Sequence, residues 1–162
     1  MSDLAPLLAR LEMFHDHVCP RQILGARMGM YAANLMGLEL PQKDKRLYTF
    51  VETDGCFADG VMVATGCALG HRTMHLIDFG KVAATFVDTK TRLAIRIAPH
   101  PLSRERAALL VSDAKSRWHT QLAAYQVMPF EELFLAREVA LTVSLDALIS
   151  RPGMRVNCSH CG

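Results

Sequence analysis

Apolar residues recur at helical spacing through the first part of the chain. Leu4, Leu7, Leu8 and Leu11 form one stripe and predict a helix over residues 3–13. Ile23, Leu24, Met28, Tyr31, Leu35 and Met36 predict a second helix over 20–37, with Pro20 at its first position and Gly37 as its stop. The period then shortens. Residues 47–52 alternate and carry Tyr, Thr, Phe and Val, which predicts a strand. After the Asp54-Gly55 turn, Cys56 to Cys67 predicts a buried helix in which Gly55, Gly60 and Gly66 permit close backbone approach. Residues 81–87 and 93–98 predict two strands joined by a hairpin turn at Asp88-Thr89-Lys90-Thr91. From a Ser103 cap, the stripe Ala107, Leu110, Val111, Ala114 and Trp118 predicts one helix to about residue 125. Pro129 opens a short helix to about residue 135. Strict alternation over 138–146 predicts a half-buried strand. These elements mix without a regular strand–helix–strand alternation. The expected fold class is α+β, an antiparallel or mixed sheet packed with helices. Residues 1–150 form the core domain, and 151–162 a short C-terminal Cys-x-x-Cys tail.

Composition narrows the class. The chain has 162 residues, 51% of them hydrophobic and 21% charged, which excludes a disordered chain. The net charge of +2 lacks the basic footprint of a nucleic-acid binder. No apolar run approaches the ~18 residues of a membrane span, and the start of the chain lacks the pattern of a signal peptide. A cytoplasmic protein without nucleic-acid or membrane partners is expected. Five cysteines in such a chain point to metal or reactivity before disulfides, and nine methionines to soft core filling.

The most unusual segment is His15-x-His17-x-Cys19. On extended backbone its three soft ligands share one face, and imidazole with thiolate suits zinc, nickel, copper or iron. Cys19 also precedes a helix start, which favours its thiolate as ligand or as nucleophile. Cys56 stands at a second loop-to-helix junction. Cys67 is eleven residues later, about 16 Å along a straight helix, so the two cannot share one ion on an unbroken helix. His71 and His75, four apart, make a weak two-histidine clip, and a solvated or packed role is preferred. Gly66 to Gly70 lacks the context of a phosphate loop. Cys158-x-x-Cys161 is half of a zinc knuckle and needs two further ligands.

These motifs together resemble the FmdE family, proteins named for their likeness to a component of formylmethanofuran dehydrogenase. The resemblance rests on Phe14 to Pro20 followed by Gly25-x-Arg27-Met28-Gly29. It continues through Thr53 to Gly60, Thr65 to Gly70, Asp78 to Phe86, Glu132-Leu133-Phe134 and the terminal Cys158-x-x-Cys161-Gly162. It implies an α+β core, a homodimer and a metal centre at His17, Cys19 and Cys56. His15 and Cys67 are the next candidates, and Asp54, Asp59 and Lys81 would line the cleft. It also implies a small zinc-binding segment after the core, of which Cys158 and Cys161 are a part; the family's segment carries more cysteines. The family usually has glycine where Asp16 and Arg21 stand. Asp16 would orient a histidine ligand, and Arg21 would pair with an anionic one.

The expected function is therefore binding or delivery of a transition metal or metal-containing cofactor in redox metabolism. Zinc is the leading metal, with nickel, iron or haem as alternatives. A metalloenzyme would be the recipient partner. The alternative is a metal-dependent enzyme or an accessory protein of a formylmethanofuran dehydrogenase acting on a small molecule, with Cys19 as its thiolate.

Overall fold

The computed structural model describes residues 3–149 together with 159 and 160. Cys158 and Cys161 lie outside the described residues, as does most of the tail. In chain order the elements are α1 (Leu4–Glu12), α2 (Pro20–Met36), β1 (Leu47–Val51), α3 (Cys56–Thr65), β2 (Met74–Leu76), β3 (Ala84–Asp88) and β4 (Ala94–Pro99). They continue with α4 (Ser103–Leu110), α5 (Arg117–Val127), α6 (Phe130–Leu133), β5 (Phe134–Glu138) and α7 (Leu145–Ile149). The five strands form one sheet in the order β2-β1-β3-β4-β5. β1 pairs with β2 in parallel and every other pair is antiparallel, so the fold is α+β with a mixed sheet.

Local chemistry explains the ends of the first helices. Asp3 caps α1 by accepting the Ala5 amide at 3.2 Å. Gly37 ends α2 in the left-handed region at φ 63. α2 is buried on nearly all sides from Pro20 to Ala33, which fits its apolar, weakly amphipathic sequence. Alternation along β1 sorts its side chains between two cores. Leu47 and Val51 join Phe86 and Ile97 beneath the helices, whereas Tyr48 and Phe50 join Val87 and Ala94 on the opposite face.

Three expectations need correction. The helix over 103–125 is two helices, broken between Leu110 and Arg117. Ser112 and Asp113 bond to each other there and Ser116 takes the cap of α5, so local polar side chains compete with the helical ladder. The strand over 138–146 lies earlier, at Phe134–Glu138, and its pairing with β4 ends at Glu138. The alternating Val139 and Leu141 instead pack over Tyr48 and Phe50, so their burial comes from covering a sheet face. The strand over 81–87 starts at Ala84, because Glu52 O accepts the amides of Phe79 and Lys81 and bends the chain. His75 takes the packed role preferred for it: it lies in the three-residue β2, stacked on Phe50 at 5.1 Å, and no helix joins it to His71.

Two ion pairs tie the strands. Arg96 Nε and Nη2 donate to the buried Glu52 carboxylate at 2.5 and 2.7 Å. Arg46 does the same to Asp88 at 3.0 and 2.8 Å, and the Lys90 amide adds a third bond. The hydrogen bonds from Arg46 hold the Asp88 carboxyl at about 2, below its ordinary 3.8. A carboxyl lowered in this way contributes roughly 2 kcal/mol at neutral pH. The contribution is complete above the unfolded value and is lost as pH falls through the folded one. Urea melts should therefore show Asp88→Asn destabilised by roughly 2 kcal/mol at pH 7, with the gap to the native chain closing as pH approaches 2. A gap of equal size at both pH values would remove the ion-pair account.

Candidate metal centre

α2 and α3 run side by side in the same direction. Gly25 faces Phe57 to Val61, and four residues later Gly29 faces Ala64 and Thr65. The approach is close enough that a Cβ on Gly25 would collide with Phe57 O and stand 2.9 Å from Val61 N. A Cβ on Gly60 would collide with Gln22 O and stand 2.8 Å from Ala26 N. Parallel packing brings the two helix N-termini together, and each begins with a cysteine.

Cys19 is the cap residue of α2, and its amide donates to Gln22 Oε1 at 2.7 Å. Cys56 is the first residue of α3. It follows Gly55, whose φ of 74 and ψ of −155 belong to backbone that only glycine adopts freely. Both thiols are half-buried, and Cys19 stands close enough to act on the Cys56 thiol. Burial pushes the Cys56 thiol up, the contact with Cys19 pushes it further, and the Asp59 carboxylate adds in the same direction against its own backbone amide. The helix start thus does not make Cys56 a ready thiolate; desolvation and its neighbours outweigh it.

One turn along α3, Asp59 Oδ2 bonds His15 Nε2 at 2.8 Å. That contact occupies one ring nitrogen and leaves Nδ1, the arrangement in which a carboxylate orients a metal-binding imidazole. His17 is turned elsewhere, its ring edge-on to Trp118 at 6.2 Å. Asp16, Arg21, Asp54 and Lys81 are exposed. Cys67 stands at the other end of α3, buried, donating to Leu47 O at 3.2 Å. Burial pushes its thiol up as well.

The structure thus brings together Cys19, Cys56, Asp59 and His15 as two adjoining pairs, and leaves His17 and Cys67 apart from them. Among the described residues, no three His, Cys, Asp or Glu side chains converge into a metal-ion group. Gln22 was not singled out by its sequence. It is fully buried one turn into α2, and its Nε2 has no hydrogen-bond partner among the described residues. A glutamine three residues after a cap position before an apolar run is the signal that finds it.

A family model described as FmdE, molybdenum formylmethanofuran dehydrogenase operon, matches residues 14–135. The chain belongs to the FmdE family. The matched stretch includes His15, His17, Cys19, Cys56 and Asp59, and ends before the tail. A relative from Archaeoglobus fulgidus, a probable S-adenosyl-L-methionine-binding protein, is 38% identical over 99 residues. Those residues cover 59% of this chain and 27% of the relative, so the chain spans about a quarter of the length of the curated protein it matches. In three dimensions it is similar to a tungsten formylmethanofuran dehydrogenase FmdE-like protein from Syntrophus aciditrophicus. The TM-score is 0.63 at 18% identity, over 95% of this chain and 80% of that one, a likeness of fold.

Proposed function

We propose that this FmdE protein binds a transition metal at Cys19 and Cys56 and delivers it, or a cofactor containing it, to a partner in redox metabolism. The observation carrying this reading is the placement of two cysteines at the N-termini of two parallel, closely packed helices. Two adjacent sulfurs match a soft or borderline ion such as zinc, with nickel, iron or haem iron as alternatives. His15, oriented by Asp59, supplies a nitrogen donor to the same cluster, and His17 would have to leave Trp118 to join. The orphaned Gln22 amide, one turn along α2 from Cys19, supports a site with a further acceptor to satisfy.

A cytoplasmic location suits free thiols at Cys19, Cys56 and Cys67. The homodimer is supported by an apolar patch in which Leu109, Leu110 and Val127 are exposed around Met128 and Pro129. Sedimentation showing a monomer at every concentration would remove the dimer. The second reading, an enzyme or an accessory protein of one, is favoured by the formylmethanofuran dehydrogenase operon in the family's description.

The test is metal content by mass spectrometry after anaerobic purification without added metal. The native chain and a Cys158→Ser/Cys161→Ser variant should both hold a thiol-bound metal, and Cys19→Ser and Cys56→Ser should each lose it. Retention in the double variant Cys19→Ser/Cys56→Ser would overturn the assignment, as would metal-free native protein. Rapid release to a chelator supports delivery; a metal held through repeated chelation supports the enzyme reading.

A further inference from the structure

An open cavity of about 780 Å³ lies at the C-terminal end of α3, away from the thiols. It shares no residue with the Cys19, Cys56, Asp59 and His15 cluster. Its volume falls within the range of about 300–1,000 Å³ common to small-molecule sites. Arg10, Lys43, Lys45, His71 and Arg72 line it, and no aspartate or glutamate does. The four lysines and arginines exceed the net charge of the whole chain, which is +2. Asp44, between the two lysines, is turned to the Arg46 amide.

Two observations separate this cavity from an ordinary basic surface. First, Lys43, Lys45 and Arg72 are not needed to finish α3. Val61 O accepts Thr65 Oγ1, Met62 O accepts the Gly66 amide, Val63 O accepts Arg10 Nη1 and Thr65 O accepts the Gln42 amide. Three of the last four carbonyls of α3, those of Met62, Val63 and Thr65, are thus taken without them, and Lys43, Lys45 and Arg72 make no ion pair among the described residues. Second, Lys45 and Arg72 both stand in left-handed backbone, each at φ 59, in two separate loops that wall the same cavity. For a side-chain-bearing residue this costs roughly 1 kcal/mol or more each. The loops are built to hold that geometry. Thr89 donates its amide to Arg46 O and its hydroxyl to Lys45 O, and the Arg72 amide closes a turn on Leu69 O. Basic side chains thus occupy two positions where glycine would be cheaper, and neither is paired with a carboxylate among the described residues.

We propose that this cavity binds a multiply charged phosphorylated small molecule. Lys43, Lys45 and Arg72 hold its phosphates, and Leu47 and Met62 lie under its organic body. Several cations without a counter-charge match a di- or triphosphate better than a single carboxylate, and guanidinium suits phosphate oxygens in pairs. The apolar floor requires an attached organic group, which inorganic phosphate lacks.

The test is calorimetric titration of the full chain with ADP and with inorganic pyrophosphate, on the native protein and on Lys45→Gly/Arg72→Gly. Both substitutions relieve left-handed strain, so the variant should melt at the same or a higher temperature. Its affinity for ADP should nevertheless fall about tenfold or more. ADP should bind the native chain more tightly than pyrophosphate. Cys19→Ser should bind ADP as the native chain does, which separates this site from the metal centre. Binding of neither probe by the native chain would overturn the proposal, and so would equal ADP affinity in the glycine variant. Affinity for single-stranded RNA without affinity for ADP would also overturn it, marking a polyanion surface instead. Equal affinities for ADP and pyrophosphate would strike out the organic body.

Discussion

Gly60→Ala should destabilise the protein by about 3 kcal/mol or more and separate Cys19 from Cys56. Overpacking a buried site usually costs about 1–3 kcal/mol, because neighbouring side chains can turn aside. Here the obstacle is backbone. The new methyl would meet Gln22 O, the Ala26 amide at 2.8 Å and Gly25 Cα at 3.0 Å. None of these can move without moving α2, so the helices must part along their length. The thiols lie at the N-terminal end of that contact, and they should feel the displacement directly. Gly25→Ala should behave alike, since its Cβ meets the mirror set at Phe57, Gly60 and Val61. Urea melts measure the stability loss. A short bifunctional thiol reagent measures the geometry: it should bridge Cys19 and Cys56 quickly in the native chain and slowly in either variant. A Gly60→Ala protein that melts within about 1 kcal/mol of the native one and is bridged at the same rate would show that the helix contact does not set the site.

Arg27→Ala should cost about 3–5 kcal/mol, the loss typical of breaking a buried charged network. Arg27 is 7% exposed, and its guanidinium donates to three carbonyls where α5 ends. Tyr125 O lies at 3.0 Å, Gln126 O at 2.7 Å and Met128 O at 2.6 Å, with the Phe130 ring 4.7 Å beneath. Truncation leaves those carbonyls without their donor and opens space in the core. A helix C-terminus also favours a cation through its dipole, which adds to the loss. Arg27→Lys should recover only part of the stability, since one ammonium cannot reproduce the planar fork over the ring. Hydrogen exchange should show the last turn of α5 opening first in Arg27→Ala. If Arg27→Lys were as stable as the native chain, the fork geometry would be irrelevant and charge alone would suffice.

These two residue types clarify what a family motif records. In Gly25-x-Arg27-Met28-Gly29, both glycines make the α3 contact, Arg27 clamps α5, and Met28 is fully buried. The Thr65-Gly66-Cys67 block is similar. Thr65 Oγ1 closes on Val61 O, Gly66 ends α3 at φ 77, and the Cys67 thiol ties the helix to β1 through Leu47 O. Cys67 resembles a ligand because cysteine chemistry is visible in a sequence and a buried hydrogen bond is not. His75 illustrates the same limit, since a three-residue strand is too short to show a period and its helical spacing from His71 is an accident of counting.

By itself the sequence determined the family, the α+β class, the first three helices nearly to the residue, and the identity of Cys19 and Cys56 as helix-start cysteines. Caps, a proline at a first helical position and apolar periodicity are local signals, and they act before the chain folds. The tertiary structure decided the rest. It alone set α2 parallel to α3, paired His15 with Asp59 across 44 residues, turned His17 to Trp118 and gathered basic side chains from separate loops around one cavity. It also broke the helix after Leu110 and moved the last strand to Phe134–Glu138. Each of these outcomes depends on which surfaces meet, and meeting is fixed by packing between distant segments, where a periodic pattern reports only which face of each element is apolar.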